Sequence, residues 1–521
     1  MIKTFLLCIV SAASLHGESK AAKRWWSHVE FLADDKLQGR ETGSEGHKTA
    51  ARYVAAEFER AGLKPVGSNG YLQPVKLRSQ RIDESASSIE IQVNGEWQKL
   101  TLGTDAYFSL RADLAEELEL AAVFAGYGFT VPERDFDEFR GLDVKGKLVV
   151  YLTGGPKDLP AALMSHYQSA DERWKRMKAL GAVGIATISN PRTSELPWAR
   201  ASAARLMPSM RLSDLPVDRP RMNFAIHPER TADRFFAGTG HTMQELLELV
   251  AAGKPLPKFD LKVRVRTRTK LVNTELESDN VAGILQGRHP ERKNEYLVIS
   301  AHLDHVGTAR AVGAADTVFN GAMDNASGIA SLIEIARVLR KKPTERSVLF
   351  VAVTGEEKGL LGSQHMVHAP PVPKGAIIGD LNFDMFLPLF PLKRLIVYGM
   401  DESTMGDTAR QAIEKHGLVA MRDPQPSRNS FIRSDQYSFI RRGIPALAFK
   451  FGYVPGSAEE KTFQGWLKER YHALSDDLSQ PVDREAAAQF NRVMAEIAIA
   501  IGNEPQRPEW TAESIFRRYT E

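Results

Sequence analysis

Between Asn280 and Phe451 the chain alternates short, almost wholly apolar runs with helix-patterned segments, and several of those runs lead straight onto a histidine or an acid. The runs are NVAGILQG, EYLVISAH, SVLFVAVT, AIIGDLNF and IPALAFKF, and SGIASLIEIARVLRK is one of the helical segments between them. Apolar runs without polar alternation suit strands covered on both faces, so the alternation predicts an α/β sheet that is mixed, mostly parallel and flanked by helices on both faces. His302 follows EYLVISA, Glu356 and Glu357 follow SVLFVAVTG, and Asp384 closes the stretch that begins AIIGDLNF. Ligand sites in open α/β sheets lie at the carboxyl ends of strands, which is where these groups fall.

Five strings carry the chemistry: SAHLDHVG, FNGAMDNASG, TGEEKGLLGS, NFDM and RYHALSD. Their His302, Asp324, Glu357, Asp384 and His472 offer imidazole nitrogen and carboxylate oxygen for two zinc ions. Carboxylates buried without partners are costly, and two divalent cations more than neutralise Asp324, Glu357 and Asp384. Glu356 is left over to act as a base. Each string alone has an ordinary reading: Asp324 as a helix cap, the glutamate pair as a solvated surface, a histidine after a strand as a core residue. Together, and placed after strands that should be buried, they point to metal-assisted hydrolysis. His305 competes with His302, but in an extended segment His302 and Asp304 share a face while His305 points away. Asp304 is therefore expected to orient His302 through its second ring nitrogen. Arg433, Ser434 and Asp435, before Tyr437, and Tyr471 beside His472 are candidates for lining the substrate pocket, with the Tyr471 phenol able to reach a developing oxyanion.

A chain of 521 residues exceeds one ordinary core, and its 43% hydrophobic content is that of a globular protein. Lys and Arg total 68 against 65 Asp and Glu, so the charge balance calls neither for nucleic acid nor for an anionic membrane surface. Lys3, the apolar run from Phe5 to Ala13 and the small residues after it read as a secretory signal peptide, 1–17, which implies a periplasmic or extracellular protein. The run is too short to span a bilayer, so an uncleaved anchor is the one membrane association in view. Cys8, the chain's one cysteine, lies in this leader, which excludes disulfides and cysteine-nucleophile mechanisms from the exported form. Residues 18–115 read as the N-terminal part of a main domain, with helical spacing over Trp25–Leu32 and Gly46–Ala61. The β-rich residues 116–265 read as an inserted lobe, closed by FDLKVRVRTRTK as an exposed or edge strand, and 266–521 as the main domain proper.

At these residues the chain resembles the di-zinc aminopeptidase family that includes bacterial leucyl aminopeptidases and, more distantly, glutamate carboxypeptidase II and the transferrin receptor. LADDKLQGRETGSEGHKTAARYVAAEFERAGLKP, FAGYG, GLDVKGKLVV, RSDQYSFIRRGIPALAF and RPEW extend the likeness over nearly the whole mature chain, and the inserted lobe resembles a protease-associated domain. The resemblance implies a zinc exopeptidase fold in which His302 and Asp384 bind one zinc, Glu357 and His472 the other, and Asp324 bridges them. It also implies a cis bond from Asp324 to Asn325. A zinc-bridging water, deprotonated by Glu356, would cleave the first bond of peptides with a free N-terminus, and Tyr471 would steady the oxyanion. The same core serves carboxypeptidases of the glutamate carboxypeptidase II type, where an arginine cluster would hold a substrate carboxylate; Arg422, Arg428 and Arg433 lie near one candidate pocket segment. Glutaminyl cyclase and a non-catalytic receptor fit less well, since DNASG, HLD and all six metal and base positions are present. Spacing carries no reading of oligomeric state.

Overall fold

The computed structural model describes residues 18–520 apart from 157, 195–196, 216 and 309–315. The expected leader, with Cys8, lies outside the described residues. The fold is mixed α/β, built on one ten-stranded and one eight-stranded sheet.

Four parallel strands form the centre of the ten-stranded sheet: β1 (Tyr296–His302), β2 (Ser347–Val353), β3 (Ile377–Asn382) and β4 (Ala446–Phe451), side by side in the order β2-β1-β3-β4. Every residue of β2 is buried, as the unbroken SVLFVAV requires. Alternate residues serve opposite cores. Val348, Phe350 and Ala352 join Leu297, Ile299 and Ala301 in the larger core, while Leu349, Val351 and Val353 join Val298, Met366 and Phe439 on the other face. Antiparallel strands flank the centre, Leu271–Leu285 against β2 and Arg394–Tyr398 against β4.

Helices α1 (Lys20–Leu32), α2 (Glu45–Arg60), α3 (Ser327–Lys341) and α4 (Arg484–Asn503) contribute to the larger core, α1, α3 and α4 in mutual contact. The apolar stripe of α1 buries Trp25, Trp26, Val29 and Leu32. Its Trp25 indole N–H points to the main-chain oxygen of Ser327 (3.2 Å) and to Ser331 Oγ (3.0 Å), so α1 fixes the start of α3 and the Asp324 segment just before it. Truncating a fully buried aromatic such as Trp25 or Phe350 costs about 3–5 kcal/mol.

The eight-stranded sheet runs Glu96–Leu100, Ser88–Val93, Lys258–Arg268, Glu117–Ala125, Leu148–Leu152, Gly184–Ile188, Met222–Ile226, Ala106–Phe108, with its own core around Phe124, Val150, Phe224 and Phe235. The strands within 88–108, which the sequence reading leaves with the main domain, hydrogen-bond into this sheet. Lys258–Arg268 differs from the expected edge strand. It is paired on both sides, and its charged alternation is one solvated face, where Arg264, Arg266 and Arg268 meet Glu119, Glu90 and Glu117 at 2.7, 2.5 and 2.7 Å. Links between the two sheets' regions include Arg441 to Asp171 (2.6 Å) and Arg518 to Glu133 (2.6 Å).

Candidate metal centre

The carboxyl ends of β1, β2 and β3 deliver His302, the Glu356–Glu357 pair and Asp384 to one place, and the loops before α3 and after Glu469 add Asp324 and His472. Asp324 stands in the middle. Its Oδ1 is 3.2 Å from His302 Nε2, which is itself 3.5 Å from Asp384 Oδ1. Its Oδ2 is 3.2 Å from His472 Nε2, which lies 3.1 Å from Glu357 Oε1. The result is two adjoining nests of nitrogen and oxygen that share one carboxylate. The peptide bond from Asp324 to Asn325 is cis.

Backbone contacts hold this arrangement. Asp476, buried, accepts the N–H groups of Met323 (2.9 Å) and Asp324 (3.0 Å). The Asn325 amide donates to the main-chain oxygen of Phe383 (2.8 Å) and its Oδ1 accepts from Met385 N–H (3.3 Å), tying the Asp324 segment to the Asp384 loop. Arg40, 1% exposed, donates to the main-chain oxygens of Leu303 (2.9 Å), Asn320 (2.7 Å), Gly321 (3.1 Å) and Leu32. One guanidinium thereby joins the His302 and Asp324 loops, a task its five fixed donors suit. Gln38, Gly39 and Arg40 all have left-handed φ, and at Gly39 a Cβ would come within 2.4 Å of the main-chain oxygens of Gly307 and Phe319, so glycine is needed there.

Two expectations about the first string change. His302 Nδ1 faces the main-chain oxygen of Asp304 (3.1 Å), whereas the Asp304 carboxylate accepts from Thr42 Oγ1 (2.9 Å) and from the N–H of Glu356 (3.1 Å) and Glu357 (3.4 Å). Asp304 thus orients His302 through its backbone and holds the glutamate loop through its side chain. His305 does not point away, although β1 ends at His302 and His305 makes an isolated bridge to Glu41. Its Nδ1 is 2.9 Å from Glu357 Oε1 and 3.9 Å from Asp324 Oδ2, and it is fully buried with Nε2 unpartnered. His305 and Arg40 are the residues sequence reasoning missed. The sole signal was a second imidazole three residues after His302; for Arg40 nothing local separates it from other arginines.

Electrostatics divide the acids. Burial and the neighbouring Asp324 act to raise Glu357, but His472 and His305 outweigh them and hold it down at about 2. Burial also opposes charge on His472, yet Glu357 and Asp324 push it up to about 11. The cluster thus demands positive charge beside its carboxylates. Glu356 goes the other way: burial, aided by Glu357, Asp435 and Asp384 and opposed by His302, lifts it well above the usual carboxylate range. Among the described residues it has no ion-pair partner. Asp435, fully buried near Glu356, is pushed up to about 7 chiefly by burial. Tyr471 stacks beside His472, ring centroids 4.0 Å apart, and burial raises its phenol. Its main-chain oxygen accepts from Arg200 (3.4 Å), which comes from the 198–203 helix. Of the other pocket candidates, Tyr437 faces Tyr519 (3.5 Å), Ser434 accepts from Asn382 (3.1 Å), and Arg422 pairs with Asp401 in solvent (2.6 Å).

The donor set fits zinc. It contains imidazole and carboxylate without thiolate, and Asp384 Oδ1 is buried without a hydrogen-bond donor, an atom left for a cation.

Such a donor set could hold two divalent cations side by side and support metal-assisted hydrolysis. Residues 280–498, the site-bearing segment, match the model of peptidase family M28. "Probable leucine aminopeptidase 2" of Aspergillus fumigatus is 27% identical over 256 residues, 47% of this chain and 46% of that protein. "Aminopeptidase YwaD" of Bacillus subtilis is 27% identical over 230 residues, 43% of this chain and 46% of its own. The chain thus spans about half the length of these curated relatives. Among solved structures, an aminopeptidase from Aneurinibacillus sp. strain AM-1 superposes over 95% of this chain and 96% of that one, with a TM-score of 0.54 at 19% identity, a likeness of fold.

Proposed function

We propose that this chain is an exported aminopeptidase that holds two zinc ions and removes the N-terminal residue of peptides. The observation that carries the reading is the Asp324 carboxylate, with one oxygen 3.2 Å from His302 and the other 3.2 Å from His472. His302 and Asp384 would hold one ion, Glu357 and His472 the other, with Asp324 shared. When bound, the ions would polarise water and the scissile carbonyl and neutralise the developing oxyanion. Glu356, which forms no ion pair among the described residues, takes the proton of the attacking water at its carboxylate and returns it to the leaving amine. Tyr471, beside His472, would donate its O–H toward the carbonyl oxygen. The names carried by the curated relatives support the N-terminal direction. The leader reading supports export, and the strands of the eight-stranded sheet, which lie between Ser88 and Arg268, would form the inserted, protease-associated lobe.

Product analysis by mass spectrometry tests this. The zinc-loaded protein is given one hydrophobic-start peptide free, N-acetylated and C-amidated. We expect acetylation to abolish cleavage, amidation to be tolerated, and a chelator to stop turnover. Cleavage that survives acetylation but not amidation would instead identify a carboxypeptidase.

A further inference from the structure

A lysine interrupts strand β4. In Ala446-Leu447-Ala448-Phe449-Lys450-Phe451 every residue but Lys450 is buried, and the strand lies inside the sheet, between β3 and Arg394–Tyr398. An ammonium in an interior strand loses hydration and is seldom tolerated without a partner. The register shows which way it points. β3 and β4 pair in parallel, Asp380 with Ala446 and Asn382 with Ala448, so Lys450 lies on the face of Asn382, two residues beyond the last pair, where β3 has given way to the Asp384 loop. Phe449 and Phe451, on alternate positions, turn into the larger core. Lys450 therefore stands on the metal side of the sheet, beside the carboxylate expected to ligate one ion.

Among the described residues Lys450 makes neither a hydrogen bond nor an ion pair. The charges around it are Asp384 and Asp324 on one side and Arg433 and Arg428 on the other, with burial opposing its charge. Asp423 also feels it, but one oxygen of that carboxylate is occupied by the Gln425 N–H (2.8 Å). Two divalent ions on Asp324 and Asp384 would cancel the charges of those two carboxylates, leaving the Lys450 ammonium with little negative charge facing it. An anion delivered with the substrate would complete the set.

We propose that Lys450 is a substrate-binding residue whose ammonium receives a carboxylate, so that the enzyme favours peptides bearing one close to the scissile bond. This rests on the peptidase reading and deepens it by naming a substrate class. The carboxylate has two sources, the side chain of an N-terminal Asp or Glu, or the C-terminus of a very short peptide.

The test uses zinc-loaded full-length protein and reads ratios of kcat/KM. One arm compares C-amidated peptides starting with Asp against Asn and with Glu against Gln; the other compares Ala-Ala-Ala as free acid and as amide. A charged hydrogen bond in a half-buried site predicts a preference for the acid on the order of 10- to 100-fold in at least one arm, and that arm identifies the source. Lys450→Gln should bring the ratio towards one and Lys450→Arg should restore most of it, a split that a merely structural lysine would not produce. Because the wild-type ratios stand alone, a variant that fails to fold does not rescue the idea. Equal or reversed ratios in both arms of the wild type overturn it, as does a Lys450→Gln protein that keeps the preference. Failure to cleave any peptide with zinc bound is a different result, which removes the peptidase reading and this inference with it.

Discussion

Both large sheets contain neighbouring parallel strands whose carboxyl ends open into loops, and the two sets of loops treat polar groups in opposite ways. In the eight-stranded sheet the strands ending at Leu152, Ile188 and Ile226 are followed by Thr153, Asn190 and His227. There Thr153 Oγ1 accepts the Asn190 N–H (2.9 Å), and His227 Nδ1 accepts the N–H groups of Glu229 and Arg230 (3.2 and 3.3 Å). Those side chains bond loop backbone and bring no charges together, although the Asn190 Nδ2 is buried without a hydrogen-bond partner. In the ten-stranded sheet, His302, Glu357, Asp384 and Asp324 turn away from their own loops and toward one another, leaving Asp384 Oδ1 and His305 Nε2 without partners. A strand end is thus an opportunity that both sheets have. Convergent charge that the protein itself does not satisfy is what distinguishes the site.

The sharpest way to break this comparison is to remove Glu356, which has no ion-pair partner among the described residues. Glu356→Gln should retain bound metal, measured by elemental analysis, while kcat/KM falls by roughly 10²- to 10⁴-fold. A variant with near-normal turnover would show that proton transfer happens elsewhere and that Glu356 is merely a buried carboxyl.

Each region also buries a titratable group that is not among the candidate metal ligands, and the two should respond to pH with opposite sign. His47, on α2, is pushed down to about 3, mainly by burial and further by Arg40. An unfolded imidazole titrates near 6.5, so the stability His47 provides is complete above that pH and is lost as pH falls from 6.5 toward 3. Glu138, in the region of the eight-stranded sheet, is raised to about 7 by burial, with Lys258 opposing. Its stability is complete below 4.5 and is lost as pH rises from 4.5 to 7. Each group contributes a slope of at most about 1.4 kcal/mol per pH unit. Urea unfolding from pH 4 to 8 should show His47→Gln flattening the acid limb and Glu138→Gln the neutral one; parallel curves for wild type and variants would mean that neither group is buried as described.

A smaller effect is expected at His305, whose N–H toward Glu357 would fix the direction of a metal-binding carboxylate. Loss of such a partner typically weakens metal binding 10- to 100-fold. His305→Ala should show this in competition with a chromophoric chelator, at one of the two ions. Unchanged affinity for both would leave His305 a packed core residue.

The sequence made the strands, their parallel order and the five metal-centre strings legible because each rests on local information: an apolar run, an abrupt charge, a helix pattern. What it hid was long-range. His305 was misdirected by carrying strand alternation past His302, where β1 ends. Arg40 bonds residues more than 260 positions away, and nothing in DKLQGR announces Leu303 or Gly321. Ser88–Val93 and Glu96–Leu100 look like any exposed hairpin, so sheet membership had to come from pairing with Lys258–Arg268. That strand's alternating charge resembled an edge because its acidic partners lie on other strands.

Those partners supply the gentlest test of the contrast between satisfied and unsatisfied charge. Arg268 and Glu117 are each 67% exposed at the side chain, so their 2.7 Å contact sits in water and is screened by salt. Exposed pairs contribute about 0.2–1 kcal/mol, and Arg268→Ala should cost no more than that, less still in 1 M salt. Arg266→Ala should cost slightly more, since Glu90 is less exposed and the Arg266 guanidinium also lies 4.2 Å from the centre of the Trp97 ring, a stacking worth about 0.5–1 kcal/mol at such sites. Urea unfolding at low and high salt measures both. If Arg268→Ala cost several kcal/mol, the charged face of this strand would be holding the sheet together instead of keeping its register in solvent, and the division between a self-satisfied sheet and a charge-bearing one would no longer describe the molecule.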